Sequence, residues 1–507
     1  MKVRWWPLVL IWVLGVSTIG VVLFLQDGEV GVRQAMVMKM IGVTIVCFVL
    51  SIFWLLLFSG LRAKYRFQIL GLVALILLLF ASAVRYGGVT GDLVPIFAWR
   101  WSQPSVARAE QATLPKLDAN GVFPQFLGPH RNASIPGIRL KKDWSEFPPT
   151  LLWRKPIGEA WSGFAISENR AITQEQDGED ELVSCFDLVS GELTWQSRNK
   201  ARYDNPLGGV GPRATPTIDG DRVYAVGATG FFACRLVESG ALVYSLDLLE
   251  EHSAPLPDWG VAGSPLVFEN LVILSAGGSD GNSLVAYDKL TGKLVWRGGS
   301  DKAHWSSPVV YQVDGEDQVL IFNKGGVAGH DVEDGSILWE YPWTRSTGTP
   351  RVAIPVQISD NRFVISSGYG AGASMFEVQK TENGYEAEEL WKSLHLKSKF
   401  NNFVFRDGYL YGLDDGMLTC IEVATGRRTW KEGRYGHGQL LLGDDWLLLM
   451  AENGEAILLE PNPEGPEILG AFAALAGKSW NPPALVGPLL LVRNHLEVAC
   501  YRLPLEE

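Results

Sequence analysis

Four tryptophans, Trp161, Trp259, Trp305 and Trp480, recur in one setting, each beside small or polar residues and a few positions before an apolar run. Similar settings hold Arg213, Arg351 and Lys399 as cations and His304 and His437 as imidazoles. Ser162, Thr215, Ser264, Asn401, Asn402 and Asn481 supply hydroxyl and amide groups. Brought together, these groups could hold a planar polycarboxylate: aromatic faces to stack on, cations for carboxylates, and hydroxyl or amide groups for carbonyl oxygens. Other chemistry is poorly provided for. Only Asp204 and Asp258 stand close to these segments, so neither a calcium shell nor a general base can be assigned. His304 and His437 are 133 positions apart with no ligand spacing between them, and read as hydrogen-bonded residues rather than metal ligands.

The element that would gather these residues is a repeat. Ala286-Tyr-Asp288-Lys-Leu-Thr-Gly292-Lys-Leu-Val-Trp296 has counterparts at Cys185 to Gly191 to Trp195, Gly329 to Gly335 to Trp339, and Cys420 to Gly426 to Trp430. Cys234 to Gly240 keeps the phase and ends in Tyr244, and a looser copy ends at Trp391. Each reads as a hairpin whose glycine turns the chain and whose second strand delivers a bulky aromatic ring. The chemistry-bearing segments sit in fixed phase to it, starting at 161, 213, 262, 305, 352, 400, 436 and 480, a period of about 46 residues. Asp219-Gly220, Asp314-Gly315 and Asp407-Gly408 mark further turns. Such a period with about four strands per unit predicts a β-propeller of eight blades, with seven as the alternative. Segments entering the innermost strands converge on its axis. Closure is also predicted: Leu152-Trp153-Arg154-Lys155 precedes the first full repeat, the last repeat ends at Val498-Ala-Cys-Tyr-Arg502 without a tryptophan strand, and pairing the two removes the open edge.

Ahead of the repeats, Trp5 to Leu25, Met40 to Leu61 and Phe67 to Val84 carry no charged residue. At ~1.5 Å per residue each is long enough to cross ~30 Å of hydrocarbon. Three transmembrane helices are expected, with residues 1–84 as anchor, 85–122 as juxtamembrane segment and linker, and 123–507 as propeller. Lys2 and Arg4, then Arg62, Lys64 and Arg66, put the N-terminus and second loop in the cytoplasm and the propeller outside it, in the periplasm of a two-membrane bacterium. No ionisable residue interrupts the apolar runs, which favours an anchor over an ion path. Trp99 and Trp101 read as interfacial residues. The net charge of -12, from 44 basic and 56 acidic residues, argues against a nucleic-acid partner.

The Ala-x-Asp-x-x-x-Gly-x-x-x-Trp hairpin resembles the tryptophan-docking motif of the pyrroloquinoline-quinone (PQQ) repeat family of eight-bladed propellers. Ala286 to Trp296 matches it fully, and the resemblance covers roughly residues 123–505. Phe123-Pro-Gln-Phe-Leu-Gly-Pro-His-Arg-Asn132 looks like the entry segment of related bacterial propellers. The resemblance implies an all-β quinoprotein-like propeller and leaves function open, because some members are PQQ-dependent dehydrogenases and others bind proteins without a cofactor. Dehydrogenases of the family typically carry vicinal cysteines beside the quinone. Here Cys185, Cys234, Cys420 and Cys500 occupy equivalent small-residue positions in separate repeats, Cys47 lies in a span, and no Cys-x-x-Cys-His haem motif occurs.

The expectation is a membrane-anchored extracytoplasmic scaffold for an envelope protein or small ligand at the propeller axis, with no assured cofactor. The alternative is a dehydrogenase using PQQ and Ca²⁺ and passing electrons to membrane quinone. The candidate axial residues are Trp161, Arg213, Thr215, Trp259, His304, Trp305, Arg351, Lys399, Asn401, His437, Trp480 and Asn481. The acidic run Glu175 to Glu181 reads as a solvated hairpin tip, and the glycine-rich stretches at 208–211 and 368–372 fit no phosphate loop because no helix pattern follows them.

Overall fold

The computed structural model describes residues 4–25, 33–101, 122–345 and 349–506. It divides into two units, Met1–Ser105 and Val106–Glu507.

In the first unit, helices α1 (Trp6–Leu25), α2 (Arg33–Phe53, prolonged by a wider turn over Trp54–Phe58) and α3 (Ala63–Ala83) are long and apolar enough to cross a membrane. α1 and α2 pack where Gly15 lies against Cys47 and where the Trp12 indole donates to Ser51 Oγ. The second helix starts earlier than the apolar run at Met40, so Arg33 and Lys39 are helical; backbone hydrogen bonding does not stop where hydrocarbon would. Arg33 then meets Asp92 at 3.3 Å. Residues just past α3 are not a plain linker either. Val84–Val89 and Pro95–Trp99 pair as an antiparallel hairpin, with Tyr86, Phe97 and Trp99 exposed and Trp99 stacked on Trp101 at 5.3 Å. The linker reading of Ser102 to Asn120 falls outside the described residues.

The second unit is an eight-bladed propeller of four-stranded antiparallel sheets. Blades 1 to 7 span residues 165–200, 217–247, 266–298, 309–342, 356–393, 404–434 and 439–473. Blade 8 takes its three inner strands from 484–502 and its outermost strand from Thr150–Pro156, which pairs antiparallel with Glu497–Arg502. The ring therefore closes as its sequence implies, and the edge of Glu497–Arg502 is paired rather than left open.

The repeat's glycine and tryptophan meet across blades rather than within one. The ring of Trp153 lies on Gly191, Trp195 on Gly240, Tyr244 on Gly292, Trp296 on Gly335 and Trp391 on Gly426, so a Cβ on any of these glycines would collide with the neighbour's ring. Their positive φ, from +67° to +76°, is the second reason for glycine. The indole nitrogens finish the dock by donating to the next blade, Trp153 to the Leu188 carbonyl at 3.0 Å and Trp296 to the Val332 carbonyl at 2.8 Å. Within each blade the ring faces the small residue: Cys185 pairs with Trp195, Ala286 with Trp296 and Cys420 with Trp430. The cysteines are free, buried packing residues. Blade 5 offers no such glycine, and Trp339 of blade 4 donates to Gln318 of its own blade at 2.7 Å. In blade 7, Gly470 holds the position of the docking aromatic, and Trp144, from outside the blades, packs on it.

The segment 123–140 runs along one end of the ring. Phe123 bridges to Ile166 of blade 1, the Pro124 carbonyl accepts from Ile218 of blade 2, Arg131 donates to the Ser264 and Pro265 carbonyls beside blade 3, and Ala133 and Ile135 exchange hydrogen bonds with Leu442 of blade 7. Leu127, Arg131 and Ala133 adopt positive φ to make these turns.

The acidic run is not a solvated tip throughout. Asp177 to Asp180 form the exposed turn, but Glu175 and Glu181 are buried on flanking strand positions. Glu181 Oε1 accepts from the Ala228 amide of blade 2 at 2.9 Å, and burial raises its pKa to about 7. The unfolded carboxyl ionises near ~4.3, so the folded state binds more protons between the two values. Stability should fall as pH rises from ~4.3 toward about 7 and then level off. Glu181→Gln, whose amide oxygen can still accept from Ala228, should remove that slope and gain about 1–3 kcal/mol at pH 8. Urea titrations at pH 5 and pH 8 check this, and an unchanged slope would count against it.

Candidate functional site

The segments entering the innermost strands and the turns between the second and third strands of each blade lie on the end of the ring where the candidate residues were expected. Their polar groups mostly tie blade to blade. Thr215 Oγ1 accepts from Gly163 N at 3.1 Å, Ser264 Oγ from Thr215 N at 2.9 Å, Ser307 Oγ from Ser264 N at 2.9 Å, and Asn402 Oδ1 from Ile354 N at 2.9 Å. Asn481 donates to the Ala160 and Ser162 carbonyls at 3.1 and 2.8 Å, joining blade 8 to blade 1. A buried backbone group must find a partner, and these side chains provide it where inner strands run too short to pair.

The tryptophans form two groups. Trp161 and Trp480 approach to 4.8 Å between ring centroids on the blade 8–blade 1 side. Trp259 and Trp305 approach to 5.0 Å on the blade 3–blade 4 side, with His304 4.9 Å from Trp305. Phe400, from the entry to blade 6, joins them: its ring is 4.9 Å from Trp480, 6.4 Å from Trp259 and 5.5 Å from His437. One phenyl ring thus reaches tryptophans on opposite sides of the axis and fills the centre of the mouth. Spacing places the start of a repeat at 400 but does not show this role.

The cations sit on ring faces and against carbonyls. Lys399 Nζ is 4.6 Å from the Tyr369 ring and 5.4 Å from Phe400. Lys478, absent from the sequence-based candidates, lies 4.1 Å from Trp480 and 4.8 Å from Trp161; burial lowers its pKa to about 8. Arg213 turns back on its own loop, donating to the Gly208, Gly209 and Gly211 carbonyls over the Tyr203 ring. Arg351 is buried and donates to the Thr349 carbonyl, while its backbone amide donates to His304 Nδ1 at 3.2 Å. Burial and the nearby Arg351 lower the His304 pKa to about 4, so the imidazole is neutral at pH 7. Asn401 accepts from Lys399 N and is fully buried. Glu452, from a blade 7 turn, accepts from the Trp480 indole at 2.9 Å and from His437 N at 3.0 Å. The sequence signal for Lys478, Tyr369 and Glu452 was weak, because two of them come from inter-strand turns that do not share the entry phase.

These residues do not fit PQQ with Ca²⁺. The aromatic rings pack on one another at 4.8–6.4 Å and leave no gap for a planar ring between them. Among the described residues no three His, Cys, Asp or Glu side chains come together as a cation shell. Glu452, the nearest acid, already serves Trp480 and His437.

Comparison with known proteins agrees on the architecture. The family model described as outer membrane protein assembly factor BamB matches residues 179–432, half of the chain. BamB from Moraxella catarrhalis superposes with a TM-score of 0.52 at 15% identity, covering 71% of this chain and 99% of that one. The computationally designed Ika8 protein gives 0.51 at 14% identity over 69% and 98%. A quinohemoprotein alcohol dehydrogenase from Pseudomonas putida gives 0.51 at 12% identity over 76% and 81%. At these identities the solved structures speak for the fold alone. No curated protein matches the chain significantly.

Proposed function

Because the chain belongs to the PQQ-repeat propeller family described as outer membrane protein assembly factor BamB, we propose that it is a binding scaffold, held to the cytoplasmic membrane by its apolar helices, with its propeller outside the cytoplasm. The carrying observation is the mouth. Its centre is taken by Phe400 against Trp480 and Trp259, and its polar entry groups are spent on joining blades. What it offers is a surface of partly exposed aromatic rings backed by Lys399 and Lys478, suited to a protein segment or small ligand that presents apolar and anionic groups. Of the axial residues named from the sequence, Trp259, Trp305 and Trp480 are partly exposed and form this contact surface, with Trp161 packed behind Trp480. The orientation rests on the cations flanking the first and third helices.

Detergent-purified protein incubated with PQQ and Ca²⁺, then desalted, should retain no stoichiometric quinone absorbance. It should also reduce no dye with a panel of alcohols and sugars. Bound quinone with turnover would replace the scaffold by the dehydrogenase alternative. A photo-crosslinker placed at Trp259 should give a defined adduct in intact cells, while one at the exposed Leu207 should not. Binding of an anionic partner should weaken as pH rises through about 8, where Lys478 loses its proton; an affinity flat from pH 7 to 9 would remove Lys478 from the contact.

A further inference from the structure

A cavity of about 340 Å³ lies between blades 3 and 4, beside the entry segment of blade 4. This is the lower end of the range for small-molecule sites, ~300 Å³ and above. Small residues, Gly299, Gly325, Gly326 and Ala328, line part of it. Gly299 faces an imidazole edge, where a Cβ would stand 3.0 Å from His330 Cε1.

The polar lining is dominated by acceptors. His330 Nδ1 is 2.9 Å from the Gly335 carbonyl and so carries the proton, which leaves Nε2 as the acceptor. Burial lowers the pKa of this ring and keeps it neutral. Asp301 accepts from Gly325 N at 2.5 Å and from Lys302 N, and its carboxylate keeps lone pairs for a further donor. Burial raises the Asp301 pKa and the nearby Arg351 and Lys324 offset this only in part, while Glu340 is exposed at the rim. Ser300 Oγ accepts from Gly281 N at 3.2 Å and keeps its proton to donate. Asn323 is engaged by Ser283 and by His304 N. No Lys or Arg lines the cavity.

We propose that this cavity is a binding site for an uncharged polyhydroxylated molecule, a polyol or monosaccharide, whose hydroxyls donate to the Asp301 carboxylate and His330 Nε2 and accept from Ser300. A free carboxylate or phosphate would meet Asp301 with no cation in the lining. An ammonium ligand is the competing occupant, because burial at Asp301 outweighs the nearby Arg351 and Lys324, and the putrescine arm of the test separates the two. The site adjoins the aromatic mouth, since Asn323 in its lining accepts from His304 N, but the proposal does not depend on the scaffold reading.

The test is calorimetric titration of the full chain in detergent with mannitol, myo-inositol and glucose, and with putrescine as the ammonium probe. At least one polyol should bind saturably. Asp301→Asn, which keeps an acceptor for Gly325 N, should weaken it by about tenfold. Ala328→Phe, which fills the cavity, should abolish it, with the thermal midpoint of each variant checked in the absence of ligand. Should Ala328→Phe fail to fold, Ser300→Ala serves in its place and should weaken binding several-fold. No binding by any polyol, binding unaffected in these variants, or putrescine binding in place of the polyols would overturn the proposal.

Discussion

Trp153→Ala should destabilise the propeller by about 3–5 kcal/mol, the cost of removing a large buried aromatic side chain. Trp153 sits on the only blade strand that the N-terminal side of the repeat array contributes to blade 8. Its ring covers Gly191, where a Cβ would lie 2.5 Å from Trp153 Cδ2, and its indole donates to the Leu188 carbonyl. Losing it weakens both the blade 8 sheet and its dock on blade 1, so the closure between first and last repeats opens first. Trp153→Phe keeps most of the buried ring and loses the indole hydrogen bond, and should cost about 1–2 kcal/mol. Urea denaturation of the detergent-solubilised protein measures both. Hydrogen exchange should show Thr150–Pro156 and Glu497–Arg502 losing protection before the middle blades. An alanine variant as stable as the parent would mean that closure does not rest on this ring.

Asp414→Asn should cost about 3–5 kcal/mol. Asp414 is fully buried at the end of the second strand of blade 6, between Lys397 at 2.5 Å and Lys431 at 2.6 Å. Asparagine leaves the Lys397 ammonium, itself 5% exposed, without its main counter-charge. Asp415, 3.5 Å from Lys397, partly compensates, which places the result toward the lower end of that range. The double change Lys397→Met with Asp414→Asn should recover part of the loss, because it removes the stranded charge as well. A double mutant no better than the single would show that the effect is local packing. Lys397 enters blade 6 two residues before Lys399 and three before Phe400, so the single variant should also loosen the mouth, seen as faster exchange across residues 397–402.

The helices, the blade count and the ring closure were legible in the sequence because each depends on a local or periodic pattern. An uncharged apolar run of this length reports a helix able to span a membrane, and a small-residue, glycine and aromatic pattern reports a blade. The pattern became less clear where the structure departs from it. Blade 5 gives its neighbour no glycine for Trp339, and blade 7 borrows Trp144 from outside the repeats. The acidic run misled because charge density suggests solvent, whereas both faces of these strands are covered, Glu175 meeting Gly158 N and Glu181 meeting Ala228 N of blade 2, and only the turn around Asp177 to Asp180 projects beyond them.

The candidate site was legible only in part. Phase alone places Trp161, Trp259, Trp305 and Trp480 at blade entries. It does not separate Thr215, Asn402 and Asn481, whose polar atoms hold blades together, from rings that face a partner, because both roles use the same sequence position. Nor can it show that Arg213 folds back on its own carbonyls. By itself the sequence determined three helices apolar enough to cross a membrane and an eight-fold ring of sheets, since hydropathy and a period of about 46 residues are properties of the chain read along its length. The tertiary structure alone decided that one phenylalanine meets tryptophans from the entries to blades 3 and 8, and that blades 3 and 4 leave a cavity between them. Those contacts join residues dozens of positions apart, and only the curvature of the closed ring brings them within reach.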